Sequence, residues 1–197
     1  MKRINSKADL RFFIERDRIN NKYSHKKLFE YVKHFVSPNR IVEYLDCLRR
    51  LEYHINVSKN LLLIIYYKRK HEKLGMHLGF SIPPNTCGPG LSLPHYGSII
   101  INPKAQIGDN CRIHSCVNIG ASGGSKIAPV IGDNVYIAPG AIVFGEIKIG
   151  NNNTIGANAT VNKSFEEEHV VIAGTPAVIV KRNSRNWIKF NQIFILL

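Results

Sequence analysis

A chain of 197 residues with 44% hydrophobic and 21% charged residues has the make-up of an ordinary globular protein, with enough material for one good-sized core or two small ones. Its formal net charge of +13 fits three kinds of partner, namely nucleic acid, an anionic membrane surface or a phosphate-bearing small ligand, and equally fits surplus surface lysine with no partner at all. No zinc-finger or aromatic RNA-binding signature is present, so no nucleic-acid partner is expected.

The basic Met1-Lys2-Arg3 start is not followed by an apolar stretch of the secretory kind, and a cytoplasmic location is expected. Residues 1–78 read as an α-helical N-terminal subdomain. Helical spacing joins Leu10, Phe13 and Ile14, and again Leu28, Val32 and Phe35. Ser37-Pro38 has the form of an N-cap followed by Pro in the first turn, leading into Ile41, Tyr44, Leu45, Leu48 and Leu51. A further helix is expected from Ser58 to about His77. Its apolar run, Leu61 to Tyr67, is too short to span a bilayer. The basic edge Lys68-Arg69-Lys70-His71 leaves a peripheral membrane contact open, against the more ordinary expectation that the run packs a helix on its neighbours. The Pro/Gly-rich stretch Gly79 to Gly90 reads as the transition from the helices to a repeat region.

Residues 79–181 carry a six-residue repeat. Every sixth residue from Ile101 to Val161 is Ile or Val except Ser125, although only sixteen Ile/Val occur in that segment and one phase in six should catch roughly three by chance. Gly follows the aliphatic residue at positions 108, 120, 132, 150 and 156. Three such hexapeptides close one triangular coil, whose faces are short strands and whose aliphatic residues point inward and stack coil on coil. An unbroken period of eighteen predicts one ladder of Ile101, Ile119, Ile137 and Ile155, and another of Ile113, Ile131 and Ile149. Gly and Asn suit the tight corners. The Gly- and Ser-rich stretch Ala121 to Val130 breaks the phase and reads as a loop leaving the prism. Cys47, Cys87, Cys111 and Cys116 lack CxxC spacing and are expected as free, packed thiols, with no metal site. Residues 182–197 form a tail, basic and then apolar, expected to pack on a neighbour.

The run IGDNCRIHSCVNIG, followed by IGDNVYIAPGA, IGNNNTIGANATV and AGTPAVIVKR, resembles the left-handed β-helix (hexapeptide-repeat) acyltransferases. Within them it is most similar to serine O-acetyltransferases and to the O-acetyltransferases of capsule and surface-glycan clusters. The resemblance implies a mainly β fold: a left-handed parallel β-helix behind the helical N-terminal subdomain. It also implies acetyl-CoA as co-substrate and a homotrimer with each active site between two prisms.

O-acetylation needs a base for the acceptor hydroxyl, donors for the thioester oxyanion and a groove for CoA. His95, in GLSLPHYGSIIIN, matches the family's catalytic histidine, and a neutral imidazole can accept that proton. His114 is the second candidate, at a place usually held by Gly, where it could meet His95 across an interface or simply face solvent. His169 follows Glu166, Glu167 and Glu168 and reads as exposed. For CoA the resemblance points to AGTPAVIVKR, with Lys181 and Arg182 near the phosphates, to backbone groups of Gly120, Ala138, Ala141 and Ala157, and to Lys163. A backbone N–H near Gly120 is a candidate oxyanion donor. The chain departs from serine acetyltransferases at Ala128-Pro129, where they have His-Pro, at Pro94 in place of Asp, and at Ser81 and Pro83 in place of Asp and His. These losses favour a sugar or surface-glycan hydroxyl as acceptor, with L-serine the alternative. A zinc hydratase of the carbonic anhydrase type would need convergent histidines that His95, His114 and His169 do not space correctly. A non-enzymatic scaffold would have no use for the AGTPAVIVKR motif.

Overall fold

A computed structural model describes residues 2–23, 39–184 and 187–188. Helix α1 (Lys7–Asn20) starts from a capping box. Ser6 Oγ accepts from Asp9 N at 3.0 Å while the Asp9 carboxylate accepts from Asn5 N and Ser6 Oγ. Helix α2 (Arg40–Tyr53) is capped by Asn39, whose side chain accepts from Ile41 N and Val42 N. Ser37-Pro38 and the Leu28, Val32 and Phe35 stripe lie outside the described residues. The predicted stripe of α2 is buried: Ile41, Tyr44, Leu45, Leu48 and Leu51.

A π-helical turn (His54–Ser58) ends on Lys59 at φ 54°, and Asn60 caps α3 (Leu61–Leu78), three residues later than the sequence suggested. Gly79, at φ 79°, closes it in the left-handed conformation that glycine adopts without strain. The apolar run on α3 packs only in part on the described residues: Ile64 and Tyr67 are half-buried, and the Tyr67 ring stacks on His54 at 5.3 Å. Leu61 and Leu62 are 68% and 78% exposed, and Leu63, Ile65 and Tyr66 are exposed with them. No helix among the described residues is long and apolar enough to cross a membrane.

The β-helix begins inside the expected transition. Strand β1 (Phe80–Ser81) already pairs in parallel with β2 (Ile99–Ile101), so a coil precedes Ile101. Three sheets form the faces. Face one stacks β1, β2, β5 (Val117–Gly120), β8 (Ile142–Phe144) and β11 (Thr160–Val161). Face two stacks β3 (Gln106–Ile107), β6 (Val130–Ile131) and β9 (Lys148–Ile149). Face three stacks β4 (Arg112–Ile113), β7 (Tyr136–Ile137), β10 (Thr154–Ile155) and β12 (Val171–Gly174), and ends with antiparallel β13 (Ala177–Lys181).

The ladders differ from the uniform eighteen. Ile101 stacks on Ile119, which stacks on Val143 and then Val161; Ile113 stacks on Ile137 and then Ile155. Partners lie 24 residues apart across Ala121–Pro129, 18 apart in the coil that follows, and 16 or 17 apart in the last. The loop therefore absorbs one whole hexapeptide, the one containing Ser125, and the phase survives while every ladder crossing it slips by one face. The expected Ile119–Ile137 and Ile113–Ile131 contacts are not formed; Ile101–Ile119, Ile131–Ile149 and Ile137–Ile155 are.

Asn110, Asn134 and Asn152 all turn one corner at positive φ, between 55° and 60°. Their amides hydrogen-bond in file, Asn110 Nδ2 to Asn134 Oδ1 and Asn134 Nδ2 to Asn152 Oδ1. One apolar core runs without a break from Ile41 of α2 to Ala177. Cys47, Cys87 and Cys111 are buried free thiols, and burial pushes Cys47 up to about 11 and Cys87 up to about 12; Cys116 is exposed.

The helices are fixed to the prism by a buried ionic cluster. Arg49, Asp17 and Glu52 are all at most 2% exposed. Arg49 donates to Asp17 Oδ2 (2.7 Å), Glu52 Oε2 (3.0 Å) and the carbonyls of Cys87 (2.9 Å) and Gly88 (2.7 Å). Asp17 Oδ1 accepts from Gly90 N and Leu91 N, and Glu52 Oε1 from Asn85 N. Each charge is thus both paired and hydrogen-bonded, which a buried ion requires.

Candidate active site

The corner joining face three to face one gathers most of the chemistry. It is built from His114–Cys116, Ala138–Gly140, Gly156–Asn158 and Ala173–Pro176, one above the next. Gly140 N donates to Ser115 O, Asn158 N to Pro139 O, and Thr175 Oγ1 to Asn158 O. His95 lies at the same corner one coil earlier.

The His95 and His114 ring centroids are 5.8 Å apart within one chain, so no interface is needed to bring them together. His95 is exposed. His114 is not a solvent-facing corner residue: it is 8% exposed and lies 4.9 Å from the Tyr136 ring. Arg112 Nε donates to His114 Nε2 at 3.3 Å. Burial, then the Arg112 charge, then His95, push the His114 pKa down to about 4, so its imidazole is neutral at physiological pH. With Nε2 occupied as an acceptor, its Nδ1 carries the proton. His114 is therefore a hydrogen-bond donor beside the site, whereas the exposed His95 ring neither accepts nor donates a hydrogen bond among the described residues.

The expected CoA residues are divided among the corners. Ala138 and Ala157 share the histidine corner with the Ala173–Pro176 turn. Ala138 N is spent on Ile155 O. Ala141 is fully buried, with its N–H on Ala138 O and its carbonyl accepting from Asn118 N, so it offers no group outward and does not fit the expectation of a CoA contact. Gly120 ends β5 at the opposite end from His114, and Lys163 follows β11 at that same second corner. Lys181 pairs with Val171 at the third corner, and Arg182 is held there by Glu167 Oε1 at 2.9 Å. His169, exposed and at φ 58°, is also at the third corner, away from both other histidines. Among the described residues no group of three or more His, Cys, Asp and Glu side chains could hold a metal ion.

The sequence reading missed Arg112, Tyr136 and Trp187. Arg112 and Tyr136 occupy the outward slot just before the inward aliphatic residue and face each other in register. That juxtaposition follows from the repeat only once the loop is known to absorb a full hexapeptide. The Arg112 guanidinium lies 5.5 Å from the Trp187 ring, a contact between residues far apart in sequence that leaves no local signal.

Residues 128–163 match the family model described as bacterial transferase hexapeptide (six repeats). The chain is 38% identical over 100 residues to a serine acetyltransferase of Mycobacterium tuberculosis, and that stretch is 50% of this chain and 43% of the relative. It is 41% identical over 108 residues to a serine acetyltransferase of Staphylococcus aureus, covering 53% of this chain and 50% of the relative. The chain thus spans about half the length of these relatives. Among solved structures it resembles the serine acetyltransferase of Neisseria gonorrhoeae, with a TM-score of 0.69 and 22% identity over 91% of this chain and 69% of that one. The soybean serine acetyltransferase complexed with serine gives a TM-score of 0.70 at 22% identity over 88% and 70% of the two chains. The coil geometry is consistent with the left-handed winding that the resemblance implied. The chain carries a bacterial transferase hexapeptide segment, set in the fold that these serine acetyltransferase structures share.

Proposed function

We propose that this chain is an acetyl-CoA-dependent O-acetyltransferase in which His95 is the general base. The observation that carries the reading is the pair of histidines, 5.8 Å apart, at the head of the corner that ends in Ala173–Pro176. In this mechanism His95 takes the proton of the acceptor hydroxyl as its oxygen attacks the thioester carbonyl. The tetrahedral oxyanion collapses, the C–S bond breaks, and the imidazolium returns the proton to the CoA sulfur. No acyl-enzyme forms. The corner with Ala157 and Ala173–Pro176 lies beside the pantetheine arm.

Gly120, Lys163, Lys181 and Arg182 act from other corners. A closed ring of three copies brings such corners of one chain to the histidine corner of the next, and this supports a homotrimer with sites between prisms. The names of the relatives support L-serine as acceptor, in place of the sugar hydroxyl that sequence reading preferred. A sugar or glycan hydroxyl is kept as a second reading for one reason. Ser81, Pro83, Pro94 and Ala128 stand where the resembling enzymes carry Asp, His, Asp and His.

CoA release followed with a thiol-detecting dye decides between them, with acetyl-CoA and parallel acceptors: L-serine, simple sugars and nucleotide sugars. Turnover with L-serine supports the first reading. Turnover with a sugar alone supports the second. No release above the blank with any of them overturns the proposal.

A further inference from the structure

A cavity of about 270 Å³ opens beside His95, lined by Asn20, Asn21 and Lys22 at the end of α1, by Asn39 and Ile41, and by Ser92–His95 and Arg112. Among the described residues its polar lining is the amides of Asn20, Asn21 and Asn39, Ser92, His95 and the cations Lys22 and Arg112, with no carboxylate. Arg112 is half-buried and forms no ion pair with any described residue; among these residues its guanidinium meets the His114 ring nitrogen, the Trp187 face and the neighbouring Tyr136. Of the half-buried arginines on α1, Arg18 is paired with Asp46 at 2.5 Å and Arg16 donates to the Asn110 side-chain oxygen at 2.6 Å, and the fully buried Arg49 is paired twice. Burial pulls the Arg112 pKa below its ordinary value, as expected of a cation whose counter-charge is missing. A desolvated guanidinium with spare donors, facing a cavity beside a base, is the arrangement that recognises carboxylate or phosphate. The cavity is smaller than the roughly 300–1,000 Å³ of pockets that enclose a whole drug-sized ligand, and it suits a terminal acidic group better than CoA itself.

We propose that this cavity is an anion-binding subsite in which Arg112, assisted by Lys22, holds an acidic group of the acceptor while the acceptor hydroxyl reaches His95. The assignment rests on the transferase reading above. It makes Arg112 a specificity-determining residue: acceptors bearing a carboxylate or phosphate near the reacting hydroxyl are selected, and neutral analogues are not.

The test uses the full chain. Inorganic sulfate is titrated into wild type, Arg112→Gln, Arg112→Lys and Lys22→Gln while the ring C–H NMR signals of His95 and His114 are followed. Saturable shifts of both rings are expected in wild type. Affinity should be weaker by roughly tenfold or more in Arg112→Gln, partly restored in Arg112→Lys, and a few-fold weaker in Lys22→Gln. CoA affinity, measured by calorimetry, should stay unchanged in all four. Equal sulfate affinity in wild type and Arg112→Gln overturns the subsite. CoA affinity that falls in step with sulfate affinity also overturns it, since the guanidinium then serves the nucleotide phosphates. In turnover, L-serine against its carboxamide and glucuronate against glucose form matched pairs. Wild type should prefer an acidic member by about tenfold in kcat/KM, and Arg112→Gln should lose that preference. Absence of CoA release from every acceptor, with sulfate binding intact, overturns the transferase reading instead; the sulfate titration tells the two failures apart.

Discussion

At the scale of single residues, His95 and His114 are unlike although their rings nearly touch. His95 is open to solvent, whereas His114 has one nitrogen taken by Arg112 and is kept neutral. His95→Ala should lower kcat for CoA release by roughly 10²–10⁴-fold with an unchanged circular dichroism spectrum. A variant within a few fold of wild type would remove His95 from the base role. His71, like His114, is an imidazole kept neutral; it is stacked on Tyr44 at 4.6 Å, with Nε2 buried and without a partner among the described residues. Burial pushes its pKa down to about 4, below the ordinary value near 6.5. Above about pH 6.5 neither folded nor unfolded chain protonates it, whereas between 6.5 and 4 only the unfolded chain does. Stability is therefore lost as pH falls through that window, by up to about 1.4 kcal/mol per pH unit for this group. Urea midpoints measured at pH 7.5 and 5 should fall less in His71→Phe than in wild type.

Among the elements, the Arg49 cluster joins α1 and α2 to the prism through the backbone of Asn85, Cys87, Gly88, Gly90 and Leu91. Arg49→Met leaves Asp17 and Glu52 buried without their cation and should cost about 3–5 kcal/mol in urea unfolding. A loss under 1 kcal/mol would mean that the cluster is replaceable by packing. The loop Ala121–Pro129 sets the register because it consumes one hexapeptide. Excising six residues, Ser122–Ile127, should leave the fold intact, with far-UV circular dichroism unchanged and a melting temperature within a few degrees of wild type, since shortening a loop changes closure entropy little. Loss of the β signal would show that the loop supports the coils.

What could be read in advance divides along the same line. The inward aliphatic phase, the Asn corners and the α2 stripe were legible because period and local backbone preference encode them. The ladder partners across the loop were not, because a missing hexapeptide and a looped-out one have the same phase. Arg49, one of many cations in a basic chain, gave no sign that it is buried, because its partners Asp17 and Gly88 are 32 and 39 residues away. At the candidate site, His95 and His114 were named from motif and spacing, and the fold sets their rings 5.8 Å apart. Arg112 was not, because only the fold shows that it lacks a carboxylate.

For the whole molecule, the distribution of candidate groups over three corners makes assembly part of the functional reading. Sedimentation equilibrium should return three times the chain mass of 22.2 kDa, independent of loading concentration across the micromolar range. A monomer with full turnover would require one corner to suffice. The two ends of the stack have a different consequence. At the first coil, α3 lies over β1, so closely that a methyl on Gly75 would meet the Phe80 carbonyl at 2.5 Å, and Tyr44 Oη accepts from Ile82 N. At the last, β13 folds back antiparallel on β12 and breaks the parallel rule of every other strand pair. A prism with bare ends would present ready-made docking rungs to its own copies and grow into a fibre. The helix at one end and the reversed strand at the other act as chain terminators, holding a repeat that could polymerise without limit at a fixed height.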